Sequence, residues 1–266
     1  MKNETGSLFA LKEQKFTAGV FLVDKPVDFS SFAMVRRVRK LLGIKKVGHA
    51  GTLDPFASGL LIICAGRPAT RNIDRFMVGR KTYEATLQLG VETTTQDPEG
   101  DVTATCAVPE LSQVDVDECL RTFIGPQMQA PPAFSAAKHK GKPLYHYARK
   151  GIVITKPPKP IEIYSLIGSL HAQDCLKIEV TCSRGTYIRV LAEDIGRFLG
   201  CGAHLTALRR TVSGPFRVEQ GVCGTDLVEE NGLHSLASTM LSVETAIEKS
   251  EQEYHKLHPC ALHSGE

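Results

Sequence analysis

The stretch Gly48 to Leu61, GHAGTLDPFASGLL, carries the residue types best suited to chemistry in this chain. Glycines at 48 and 51 enclose His49; Thr52, Asp54 and Pro55 follow, and the uncharged LLIICAG beyond them reads as a buried strand. The polar cluster is therefore expected on a turn at the mouth of that strand. Pro55 disfavours helix at the residue before it, so Asp54 is held extended or in a turn, its carboxylate projecting from a restrained backbone. That presentation suits a nucleophile or a base. Asp before Pro is also a common turn starter, and on TLDP alone the structural reading is the stronger one.

The elements that must position this stretch are readable from periodicity. Val20 to Asp24 reads as a short strand stopped by Pro26. The helix after it has Ser30 or Ser31 as N-cap, Phe32, Val35, Val38 and Leu42 on one face, arginines on the other, and Gly43 as its stop. Ala69 to Met77 reads as a short helix, Lys81 to Leu89 as a strand with Tyr83 heading its apolar row, and Gly90 to Asp101 as a turn-rich loop. Val114 to Gly125 is an amphipathic helix, and Ile161 to Leu170 and Lys177 to Ser183 are strands. A turn through Gly185 leads to a helix burying Ile188, Leu191, Ile195 and Leu199, and Gly221 to Lys249 is a short helical tail. Residues 255–266 show no pattern.

Composition narrows the function classes. At 266 residues, 42% hydrophobic and 23% charged, the chain is an ordinary globular protein with a sizeable core. The apolar run Pro55 to Gly66 is too short to span a bilayer, and the acid-bearing N-terminus does not resemble a signal peptide, so a cytoplasmic location is expected. The eight cysteines form no CxxC pair, and Cys201 with His204 supplies only two ligands, so no metal is expected. The net charge of +3 is mild, but it is unevenly spread. Ser30 to His49 contains Arg36, Arg37, Arg39, Lys40, Lys45 and Lys46 with no acid. Ala130 to Pro160 contains Lys138, Lys140, Lys142, Arg149, Lys150, Lys156 and Lys159, again with no acid. In the second run the cations alternate with Phe134, Tyr145, His146 and Tyr147, a mixture suited to stacking on bases and neutralising phosphates. Two such runs flanking one polar motif favour a polyanionic ligand.

Five segments together resemble a known family. GHAGTLDPFASGLL is similar to motif II of the TruB-type pseudouridine synthases, which isomerise uridine-55 in the TΨC arm of tRNA. LVDKPVDFSS resembles their motif I, with Asp28 where Gly is common; KTYEA, GTYIR and CGAHLTALRRTVSGPF resemble three further motifs in family order. The resemblance runs from about Gly19 to Glu248. It implies an α+β fold with a central mixed, mostly antiparallel sheet flanked by helices and loops. The implied domain, residues 19–250, follows an extension at 1–18 and precedes a tail at 251–266 with no PUA module. Residues 127–151 resemble the RNA-binding thumb loop of the stand-alone bacterial enzymes, which argues against a guide RNA.

The resemblance also implies roles. Asp54 is the catalytic nucleophile or ribose base, Arg189 its ion-pair partner, Tyr83 the ring stacked on the uracil, and Tyr187 and Leu208 the bounds of the base pocket. His49 fills the space the flipped base leaves, and Lys138, Lys140, Lys142, Arg149 and Lys150 contact the RNA backbone. The reaction exchanges an N-glycosidic bond for a carbon one with no redox step, so no cofactor is implied. A monomer acting on tRNA, without membrane or guide RNA, is expected. Two other readings remain open: a tRNA-binding or folding factor with little catalysis, and a retaining glycosidase, which would need a second acid absent from the motif.

Overall fold

The computed structural model describes residues 16–228 and 231–258; the expected extension up to Lys15 and the tail from Pro259 onward lie outside the described residues. Two compact units are present, Met1–Lys81 with Arg209–Glu266, and Thr82–Leu208.

The first unit is built on strand β1, Gly19–Lys25. Helix α1, Ser31–Leu42, follows. The side chain of Ser30 accepts from Ala33 N and caps its start, and Gly43 at φ 64 ends it. Strand β2, Val47–Ala50, and strand β3, Ser58–Ala65, form a hairpin in which His49 faces Ile63. β3 lies antiparallel to β1 and is uncharged because it is buried on both faces. Leu60, Ile62 and Cys64 pack with Phe76, Phe216 and Val243, while Leu61, Ile63 and Ala65 pack with Met34, Val35 and Val38 of α1. The expected helix at 69–77 is two short helices, α2 at Arg67–Thr70 and α3 at Ile73–Phe76. Phe32, expected on the buried face of α1, is instead 55% exposed, and Met34 takes the inward place.

The second unit begins at Thr82 within β4, Lys81–Leu89, whose alternation matches the sequence: Ala85, Leu87 and Leu89 are buried. The expected loop at 90–101 contains part of a hairpin, β5 at Val91–Thr93 paired with β6 at Val102–Thr105. Helix α4, Gln113–Thr122, starts from a capping box between Ser112 and Asp115. Strand β7, Gly125–Gln129, leads into the inserted segment. There β8, Lys138–His139, and β9, Lys142–Pro143, form a small hairpin, with Lys140 and Gly141 both at positive φ in its turn, followed by the one-turn helix α5, Leu144–Ala148. Strand β10, Lys159–Ala172, pairs antiparallel with β7 and with β11, Cys175–Cys182, and β11 neighbours β4. Helix α6, Ile188–Phe198, buries Ile188, Leu191 and Ile195 as the periodicity requires.

Strand β12, Ala203–Ser213, contains the unit boundary between Leu208 and Arg209; its second half runs parallel to β3. The segment expected as a helical tail is more varied. β13, Phe216–Arg217, pairs with β12; β14, Val222–Cys223, adds to β1 in parallel; helix α7 spans Gly232–Ser238; and β15, Met240–Leu241, pairs antiparallel with β1. Helix α8, Val243–Leu257, passes beyond the boundary at 250 expected for the tail. The fold is α+β with mixed, mostly antiparallel strand pairing.

Candidate active site

Asp54 lies on the connection between β2 and β3, half-buried, and the backbone around it is held at three points. Arg210 Nη2 donates to Gly51 O at 3.0 Å. The Ser31 hydroxyl both accepts from Leu53 N and donates to Leu53 O, each at 2.9 Å. Pro55 O accepts from Asp28 N at 2.9 Å and from the Lys25 ammonium at 3.1 Å. That ammonium is fully buried and also donates to Pro26 O and Phe29 O, at 2.8 and 2.6 Å. A buried charge is tolerable only when so saturated. The KPVDFSS segment thus lies beneath the Asp54 loop. Asp28 sits at φ 64, which explains why Gly is common at this point of the motif and why Asp, tolerant of that region, can replace it.

His49 stands on β2, on a strand and not in the turn. Its Nδ1 is buried without a hydrogen-bond partner. Desolvation, and then the Arg210 guanidinium, lower its pKa from the ordinary value of 6.5. A neutral ring results, suited to stacking against a base. Arg210 is itself only 2% exposed and gives Nε to Leu60 O at 2.9 Å. Beside it, Arg209 forms a two-pronged pair with Asp24 at 3.0 and 2.7 Å.

Tyr83, Tyr187, Arg189 and Leu208 all belong to the second unit. Tyr187 is the N-cap residue of α6 and is clamped by one amide: its N–H donates to Gln129 Oε1 at 2.7 Å, and Gln129 Nε2 donates to its carbonyl at 3.1 Å. Arg189 is 4% exposed. Its guanidinium donates to Thr95 O at 2.8 Å and Phe134 O at 2.7 Å, and it forms an ion pair with Asp97 at 3.5 Å. Asp97 is fixed in turn by the Thr95 hydroxyl and by Glu99 N, at 2.5 and 3.0 Å. One buried cation therefore joins the segment after β5, the inserted segment and α6. Leu208 is buried in β12, and Tyr83 is half-buried on β4. Lys138, Lys140, Lys142, Arg149 and Lys150 are all exposed.

Sequence reasoning missed Asp97, Gln129 and Arg210. Asp97 had a signal: Asp97-Pro98 repeats the Asp54-Pro55 pairing that drew attention to the first motif. Gln129 and Arg210 had none, since their partners are backbone groups distant in sequence. Among the described residues no His, Cys, Asp and Glu group has metal-holding geometry. Nor is any described helix long and apolar enough to cross a membrane. Burial pushes the thiols of Cys64 and Cys119 up to about 12 and about 11, so neither is a nucleophile at neutral pH.

The site geometry is thus a half-buried carboxylate on a loop anchored through its backbone, preceded by a histidine that burial holds neutral. The family comparison defines the class. A model described as the TruB family pseudouridylate synthase N-terminal domain matches residues 39–188, and one described as the tRNA pseudouridylate synthase B C-terminal domain matches residues 189–248. The chain belongs to the TruB family of pseudouridylate synthases. It is 55% identical over 240 residues to the tRNA pseudouridine synthase B of Desulfotalea psychrophila, covering 88% of this chain and 98% of that protein. To the tRNA pseudouridine synthase B of Burkholderia pseudomallei it is 49% identical, over 77% of this chain and 67% of that one. Among solved structures it is similar to a chain of a Cbf5-Nop10-Gar1 complex, with 28% identity and a TM-score of 0.67 over 89% of this chain and 64% of that chain. It is also similar to a chain of the archaeal box H/ACA sRNP Nop10-Cbf5 complex, with 26% identity and a TM-score of 0.65 over 90% and 64%.

Proposed function

We propose that this protein converts uridine-55 in the TΨC arm of tRNA to pseudouridine, as a cytoplasmic monomer acting on tRNA alone without guide RNA, metal or cofactor. The observation that carries the reading is the 55% identity spanning 98% of a relative named tRNA pseudouridine synthase B. Asp54 is the reacting carboxylate, acting on the ribose side of the glycosidic bond. The N1–C1′ bond breaks, the uracil turns, and C5 joins C1′; C5 gives up its proton and N1 gains one, so the change is an isomerisation. Arg189 balances the carboxylate, Tyr83 stacks on the base, Tyr187 and Leu208 bound it, and His49 takes its place in the stack. Extruding the base costs a few kcal/mol. The exposed cations of the inserted segment offset that cost through phosphate contacts.

Asp54→Asn tests the reading, because the amide keeps size and much of the hydrogen bonding but is neither nucleophile nor base. Pseudouridine mapped in tRNA incubated with purified protein should be present for wild type and absent for the variant, with tRNA affinity within a few-fold. Near-wild-type turnover by the variant would remove Asp54 from the chemistry. Wild type that binds tRNA and leaves its uridines unchanged would favour the binding-factor reading. Activity only on addition of a second RNA would refute guide independence.

A further inference from the structure

Phe32 is the second residue of α1, and its ring lies outside the core. The helix buries Met34, Val35 and Val38, while Phe32 remains 55% exposed. Arg36 and Arg39, one and two turns onward, place their guanidinium carbons 5.9 and 5.8 Å from its ring centroid. Its neighbours are fixed. Arg37 covers the Phe29 ring at 4.3 Å and donates to Gly224 O at 2.8 Å, and Ser31 is bonded to Leu53, the residue before Asp54. Exposed Arg36, Lys40, Lys45 and Lys46 surround the segment with positive charge, and no acid lies between Ser30 and His49.

We infer that Phe32, with Arg36 and Arg39, is a stacking platform for a nucleobase of the RNA substrate, the adjacent cations taking its phosphates. An accessible ring set among guanidinium planes matches the way unpaired bases are bound, and the cations of a segment without acids are placed to take the phosphates. The inference rests on RNA being the ligand, as proposed above, and adds a contact outside the five family motif roles.

The chain has no Trp, so Phe32→Trp introduces a single indole as a reporter. Saturating tRNA should quench its emission at least about twofold, as base stacking on an indole does. Phe198→Trp, at a ring 56% exposed outside the basic runs, should stay unquenched. Phe32→Ala should weaken tRNA binding about tenfold, and Phe32→Tyr should restore it to within about twofold. Unquenched emission from the Phe32→Trp protein with tRNA demonstrably bound would overturn the platform, as would equal quenching at both positions. So would an alanine variant that binds like wild type. Should Phe32→Ala fail to fold, the indole measurement alone decides. The two readings fail separately: turnover without quenching sinks only the platform, whereas quenching without turnover sinks only the enzyme assignment.

Discussion

At the scale of single residues, charge is placed where the backbone can saturate it. Lys25 and Arg210 are buried cations that hold the Asp54 loop through carbonyls, and Arg189 is a buried cation that holds three segments of the second unit. For Arg189 the carboxylate of Asp97 adds a buried ion pair at 3.5 Å. Asp97→Asn should cost about 3 kcal/mol in urea unfolding, because removing one member of a buried pair leaves the other undercompensated. A loss below about 1 kcal/mol would mean that the carbonyls of Thr95 and Phe134 suffice. His49 gives a pH signature. Its folded-state pKa lies below 6.5, so the unfolded chain binds this proton more readily. The contribution to stability is complete above 6.5 and is lost as pH falls through that value toward the folded-state pKa. Unfolding midpoints at about pH 5 and pH 8 should differ less for His49→Phe than for wild type. An unchanged difference would show that His49 is not held neutral by the fold.

At the scale of elements, close approach matters more than propensity. β3 can run beside β12 only because Gly59, at φ +102, lacks a Cβ; one added there would stand 2.3 Å from the Arg210 carbonyl oxygen. Gly59→Ala should therefore destabilise on the order of 3 kcal/mol, an overpacking cost against backbone that cannot rotate away. Ser30→Ala removes one cap from α1, a bond of 3.1 Å to Ala33 N, and should cost about 1 kcal/mol. Thermal unfolding of both variants checks the order. A glycine variant no worse than the cap variant would show that β12 can shift away from β3. The same reasoning accounts for Phe32: α1 has its narrow buried stripe filled by Met34, Val35 and Val38, which turns the ring outward.

At the scale of the molecule, a net charge of +3 hides a strong separation of sign. The inserted segment presents Lys138, Lys140 and Lys142 around a two-stranded hairpin, all exposed. Replacing the three with Ala should weaken tRNA binding and flatten the dependence of log affinity on log salt by roughly 0.7–0.9 for each phosphate no longer neutralised. An unchanged slope would reduce this run to a solvated face and withdraw its assignment to RNA binding.

The strands β1, β3, β4, β10 and β11 and the helices α1, α4 and α6 were legible because each follows from a local rule. Alternation marks β4, two-sided burial marks β3, and a serine cap with a glycine stop delimits α1. The Asp54 motif was legible as well, since a proline restrains its neighbour whatever the surroundings. Tertiary structure decided what depends on groups distant in the chain. Arg189 became a buried anchor because a carbonyl 94 residues away accepts its hydrogen bond, and Asp97 became its counterion through the same packing. The segment after Gly221, expected as a short helical tail, also contributes two short strands because β1 has backbone groups for them to pair with. A sequence states the preferences of each segment; which buried donor meets which acceptor is settled only when folding excludes water and every polar group must find a partner.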